Sequence, residues 1–336
     1  MSRQTGHFAI TVLAPALLLL GVLFSCSGTG PYRRCEGAVW ATTYHITYRS
    51  AQLLDDSILS VMQQVEASLS PFASTSLVSR INSNATNVTD SLFRRIFRTS
   101  VMVNFASNGA FDPTVAPLVN LWGFGYKSSG REPSTEAIDS ALMYVGIKRC
   151  QLQDDKIVKA SPLTEFDFSA ITKGYGCDLI GEMFQRNGCN DYLIEIGGEV
   201  AARGLNPQGQ PWRIMIDAPV ENDTTVSHNR MAVIDVTDCG VATSGNYRNF
   251  RVTSAGKAWH TISPSTGRPA VTSTVSATVI APTAMLADAL ATACMAMPID
   301  SALFMIQRMK YVEALLVTRQ GENGFSLHPT TGFPLP

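Results

Sequence analysis

Charged side chains, histidine and cysteine are scarce in this sequence. Only 16% of its 336 residues are Asp, Glu, Lys or Arg, and 26 basic residues nearly balance 27 acidic ones. That balance argues against nucleic acid as the main partner, because the phosphate backbone is met with a basic surface. Histidine occurs five times and no two of the seven cysteines form a C-x-x-C pair, so the ligand spacing of a zinc site is missing. The glycine-rich run of a P-loop, G-x-x-x-x-G-K-[ST], is also missing, although a Lys-Gly pair occurs at Lys173-Gly174. Beyond the first 24 residues no apolar run is long enough to span a bilayer, and no internal repeat is visible.

What is present begins with an export signal. Arg3 supplies a positive start, Phe8 to Phe24 is almost wholly apolar, and Leu23-Phe24-Ser25-Cys26 sets a small residue before a cysteine. This resembles a bacterial lipoprotein signal with Cys26 as the acylated first mature residue, although Phe24 is unusual there; an ordinary secretory cleavage nearby is the alternative. The expected division is residues 1–25 as signal peptide, 26–36 as lipidated Cys and tether, and 37–336 as one catalytic domain. Arg3 is the only charged residue lost, so the net charge moves from −1 to −2. The expected location is the bacterial cell envelope, lipid-anchored on the exported, periplasm-facing side of the membrane. Six cysteines remain, several in apolar runs that suit buried thiols, while export would permit a disulfide.

Helical periodicity predicts helices over 56–69, 92–108, 134–144, 173–187, 283–297 and 300–309. Strand-like runs occupy 39–48, 192–196, 212–217, 231–236, 276–280 and 312–318. Strands and helices cluster instead of alternating, which predicts an α+β fold, a single compact domain of mixed or antiparallel sheets with packed helices.

Two segments carry chemistry. Phe166 to Gly181 gathers Asp167, Lys173 and the glycines Gly174 and Gly176 around an expected strand-to-helix junction, where free N–H groups suit a phosphate. The helix from Thr283 to Met297 is apolar all round except for Asp288 and Thr292, one turn apart on one face. A buried carboxylate needs a partner. A carboxylate and a hydroxyl make a partial shell for Mg²⁺, which keeps waters and takes phosphate oxygens; an arginine partner for Asp288 and back-bonding by Thr292 are the alternative. Asp112 before Pro113 suits a turn start. Trp122 and Phe124 could stack on a planar ligand but more often pack in a core. Gly197-Gly198 before Glu199 could bring backbone close to a ligand, but reads rather as a bulge in a strand pair.

Eight ordered blocks carry a family resemblance: Ala41–Tyr48; Leu69-Ser-Pro-Phe72 with Ser79–Asn82; Gly109–Val115 with Leu121–Gly125; Asp167–Asp178; Tyr192–Glu199; Ala242–Arg248; His260–Pro269; and Ala287–Ala293. In these the chain resembles the ApbE family, the FAD:protein FMN transferases. The resemblance implies Mg²⁺-dependent cleavage of FAD, transfer of FMN to a Thr or Ser hydroxyl of a target protein, and release of AMP. It implies Asp288, Thr292 and the Ala170 carbonyl as magnesium ligands. Contacts to FAD are implied for Asp167, Lys173, Ala110, Phe111, Asp112 and Ile262, with Trp40 and Phe72 at positions that depart from the family's usual residues. His260 is the candidate base, or else a structural hydrogen-bonder in a Pro/Gly loop; Ser263 replaces the usual Asp of H-x-I-D-P. The implied partner is a flavin-carrying subunit of a membrane redox complex. An FAD pyrophosphatase giving FMN and AMP, and a non-catalytic flavin-binding lipoprotein, are the rival readings.

Overall fold

The computed structural model describes residues 30–127, 132–219, 230–246, 250–253, 256–321 and 324–335. Cys26 and the apolar leader lie outside them. Eight strands form one sheet whose spatial order follows the chain: Tyr32–Val39, Thr42–Arg49, Tyr192–Ile196, Glu199–Arg203, Cys239–Gly245, Thr274–Ala281, Glu313–Gln320 and Gly324–Pro329. Every neighbouring pair is antiparallel. Most of the helices are inserted between the second and third strands, and two more between the sixth and seventh. The α+β architecture expected from clustered elements is the one observed.

The period-2 pattern explains which face is covered. Tyr44, Ile46 and Tyr48 alternate inward and pack with Ile194, Ile196, Cys177, Ile180 and Phe184 beneath the helix Ser169–Arg186. The opposite face buries Val200, Ala202, Val241, Leu315 and Val317 under the hairpin Trp212–Asp217/Arg230–Val236. A second helix, Ala284–Met295, lies on the first face and is buried along nearly its whole length. Its N-terminus is held twice: Thr283 Oγ1 accepts from the Leu286 N–H, and the Asp178 carboxylate accepts from the N–H groups of Ala284 (2.8 Å) and Met285 (2.9 Å). Burial pushes the Asp178 carboxyl up to about 6 despite those two bonds.

Three expectations are corrected. The run 39–48 is not one strand: the chain reverses at Trp40 and Ala41, whose φ values of 49° and 60° make a two-residue turn between Val39 and Thr42. Gly197 and Gly198 form no bulge; with φ of 60° and 99° they are the turn of a tight hairpin pairing Ile196 with Glu199. The helix expected from Lys173 starts at Ser169, and the residues before it form no strand. There Phe166 and Phe168 are fully buried, stacked 5.7 Å apart, and packing sets the course of the backbone. The cysteines at 35, 150, 177, 189, 239 and 294 are all free.

The Trp40–Ala41 turn gives one testable consequence. An alanine at φ 60° pays a steric cost that glycine avoids. Ala41→Gly is expected to stabilise the protein by about 1 kcal/mol, read as a higher urea midpoint with unchanged slope.

Candidate active site

The two helices over the first sheet face meet beside a cavity of about 1050 Å³. Lys173 enters it from one helix, Asp288 and Thr292 from the other, and Glu199 from the strand after the Gly197-Gly198 turn. The crossing is close because Gly174 has no side chain: a Cβ there would sit 2.2 Å from the Ala284 carbonyl oxygen. The Gly174 N–H, which an α-helix would aim at the Ala170 carbonyl, donates to Asp288 Oδ2 (3.1 Å). Ala170, Asp288 and Thr292 all line this cavity.

Charge at this floor is concentrated: its two carboxylates are buried, while the Lys173 side chain keeps 31% of its surface exposed. Asp288 is 2% exposed and Glu199 4%. Lys173 Nζ donates to Glu199 Oε1 at 2.7 Å, while Glu199 Oε2 is buried with no hydrogen-bond partner among the described residues. Burial raises the Asp288 carboxyl, with Lys173 and the Gly174 N–H opposing. Burial also raises Glu199, to about 8, with Lys173 opposing and Asp288 reinforcing. Burial alone would lower the Lys173 ammonium, but Glu199 and Asp288 more than reverse this and hold it above its ordinary value. Sequence reasoning missed Glu199 as a site residue. The usable signal was the glycine pair Gly197-Gly198 directly before it.

Glu199 ties stability to pH. Its folded pKa of about 8 lies above the ordinary 4.5, so the ionised form is disfavoured by folding. Its contribution to stability is therefore intact below about 4.5 and is lost as pH rises toward about 8. In metal-free protein, denaturant unfolding at pH 5 and pH 8.5 should show a larger loss for wild type than for Glu199→Gln. Equal losses would refute the assignment.

The other expected site residues take varied positions. Asp167 lines the cavity; its Oδ1 accepts from the Ser169 N–H (2.8 Å), and burial raises its carboxyl. Asp112 is at the wall, yet both of its oxygens are engaged, Oδ1 by the Thr114 N–H and hydroxyl, Oδ2 by the Ile147 N–H (2.9 Å) and Asn104 (3.2 Å). The bond from the Thr114 N–H fits the turn start, and the residue lines the cavity as well. Ala110, Phe111 and Ile262 line the cavity beside it. Phe72 stands at the rim, 67% exposed, edge-on to Tyr126. Trp40 packs over Gly176, with its Nε1 buried and unpartnered among the described residues. His260 and Phe124 line the cavity edge-to-face, ring centres 6.4 Å apart. Trp122 is in the core instead, its Nε1 donating to the Gly267 carbonyl (2.7 Å). Ser263 Oγ bonds Ser265 Oγ (3.0 Å) within the loop.

The donor set fits a hard divalent cation. Among the described residues no group of three or more His, Cys, Asp or Glu could hold a metal. A cation here would rely on mixed oxygen donors: the buried Asp288 carboxylate, the Thr292 hydroxyl (3.3 Å from Ser244 Oγ) and the Ala170 carbonyl. Such a set suits Mg²⁺, which leaves positions for water and phosphate. When all three charged side chains are ionised the floor carries two carboxylates and one ammonium, a net negative site.

Known proteins share this fold. The ApbE family model matches residues 40–316. A Haemophilus influenzae protein described as FAD:protein FMN transferase is 32% identical, over 96% of this chain and 96% of its own. The solved flavin transferase ApbE from Vibrio cholerae superposes with a TM-score of 0.79 at 30% identity, covering 90% of this chain and 98% of that one. The apo flavinyl transferase ApbE of Pseudomonas stutzeri gives 0.80 at 30% identity, covering 90% and 96%. With the model spanning most of the sequence and the charged cavity built from its blocks, this chain belongs to the ApbE family.

Proposed function

We propose that this cavity binds FAD and that the chain transfers its FMN moiety to a protein hydroxyl with the help of Mg²⁺. The enzyme is a FAD:protein FMN transferase, as its relatives are described. The observation that carries the finer reading is the buried floor itself, where Lys173, Glu199 and Asp288 meet with Thr292 in one cavity. A volume of about 1050 Å³ is at the upper end for small-molecule sites, as a dinucleotide requires.

Asp288, Thr292 and the Ala170 carbonyl would hold the magnesium. Bound there, Mg²⁺ would supply Lewis-acid polarisation of the phosphate oxygens. Lys173 neutralises pyrophosphate charge from the other helix. The oxygen of an acceptor Thr or Ser attacks the FMN phosphorus, and the bond from that phosphorus to the bridging oxygen breaks. AMP leaves with that oxygen, and the hydroxyl proton passes to His260 at the cavity edge. Phe72 and Phe124 offer ring faces to the flavin. We further propose that Cys26 carries a lipid and holds the enzyme on the exported face of a bacterial membrane. The acceptor is then a flavin-carrying subunit of a membrane redox complex.

The test incubates the protein with FAD, Mg²⁺ and a flavin-carrier domain, then follows fluorescent flavin on the denatured acceptor. Flavin fixed to the acceptor supports transfer; free FMN and AMP alone would make the site a pyrophosphatase. Intact FAD after incubation with Mg²⁺ would defeat both.

A further inference from the structure

Lys173 has two carboxylates within electrostatic reach, Glu199 and Asp288, and it sits on only one of them. Its ammonium is 2.7 Å from Glu199 Oε1, while Asp288 receives the Gly174 N–H instead. The stem of Lys173 is confined as well. The Gly197 turn passes so close that a Cβ on Gly197 would sit 3.3 Å from Lys173 Cδ and 2.9 Å from the Thr42 methyl. Glu199 follows that turn directly, in register with Ile196, so the hairpin brings both the wall against the stem and the acceptor for the ammonium. A long flexible ammonium beside a lone buried carboxylate would otherwise pair with it.

We infer that Glu199 is a positioning residue: it holds the Lys173 ammonium away from Asp288, leaving that carboxylate open to a divalent cation. This rests on the proposed Mg²⁺-dependent reading of the site. Without Glu199 the nearest cation to Asp288 is Lys173 itself, an internal competitor for the metal position. When ionised, Glu199 also makes the floor net negative, which favours a cation and disfavours the pyrophosphate until the cation is in place. Loss of its charge therefore moves two binding equilibria differently. Metal affinity falls, whereas metal-free FAD binding holds or improves, because the anion then meets a neutral pair. A residue needed only to support the fold would weaken both.

The experiment compares wild type, Glu199→Gln and Glu199→Asp in one buffer at pH 9. FAD fluorescence quenching is titrated in EDTA, and Mg²⁺ is then titrated at fixed FAD. The expected result for Glu199→Gln is roughly tenfold weaker apparent Mg²⁺ affinity, with FAD binding in EDTA equal to or tighter than wild type. Glu199→Asp, which keeps the charge, should retain Mg²⁺ affinity within about threefold. Parallel weakening of FAD and Mg²⁺ binding in Glu199→Gln, or no change in either, overturns the inference. Wild type that shows no Mg²⁺-dependent response to FAD would instead sink the underlying reading of the site.

Discussion

Asp288→Asn is expected to abolish FMN transfer, by roughly a thousandfold or more, without weakening the metal-free fold. The loss follows from chemistry: an amide keeps the shape but cannot offer a charged oxygen to a hard cation. The stability half follows from electrostatics. Asp288 is 2% exposed, and its carboxyl is held above its ordinary range by burial. An acid whose folded pKa is raised costs stability once it ionises, so a neutral isostere removes that cost. Asparagine can still accept from the Gly174 N–H that now reaches Oδ2. In EDTA, the Tm of the variant should equal or exceed that of wild type, while in-gel flavin fluorescence of the acceptor disappears. Transfer at more than about a tenth of the wild-type rate would remove Asp288 from the metal position. A marked drop in Tm would show that its carboxylate serves the fold.

Gly174→Ala should be among the most damaging single-methyl changes around the site. The added Cβ would lie 2.2 Å from the Ala284 carbonyl oxygen, 2.6 Å from its carbon and 2.9 Å from Asp288 Cβ. None of these is the end of a flexible side chain, so relief requires the two helices to separate. Gly240 constrains the same place from the sheet side, its virtual Cβ falling 2.1 Å from the Ala284 nitrogen. Residue 284 is thus clamped between a helix and a strand and has little room to retreat. Overpacking of this kind costs about 3 kcal/mol or more, read as a lower midpoint in denaturant unfolding. Because Asp288 sits on the displaced helix, Mg²⁺-dependent transfer should fall with it. A stable, active Gly174→Ala protein would mean that the helices cross less tightly than the structure shows.

Several features were legible because they break a local rule. Asp288 and Thr292 interrupt a helix that is otherwise apolar on every side, and an isolated carboxylate in such a helix demands a partner. Lys173 stands out between Thr172 and glycines that have no surface role. The strand runs 192–196 and 212–217 fell on observed bounds, because alternation or flanking turn residues marked both ends. Other features had no local signature. Ala41 occupies a left-handed turn that its side chain does not favour, so the reversal at Trp40–Ala41 read as continuous strand. Asp112 lines the cavity as well as starting a turn, and its partners Asn104 and Ile147 come from a helix before it and a short turn after it.

The sequence by itself determined the α+β class, the family and the two polar segments, since each depends on residue type and spacing within one element or on ordered blocks. Only the tertiary structure decided what those segments do to each other. Glu199, distant in the chain and announced by nothing but a glycine pair, becomes the partner of Lys173 because the hairpin pairs Ile196 with Glu199 under the helix. Asp288 comes beside Lys173 because Gly174 lets two helices touch. Spacing along a chain encodes which face a residue occupies. Charge balance in a buried site depends on which faces meet, and that is set by packing across elements.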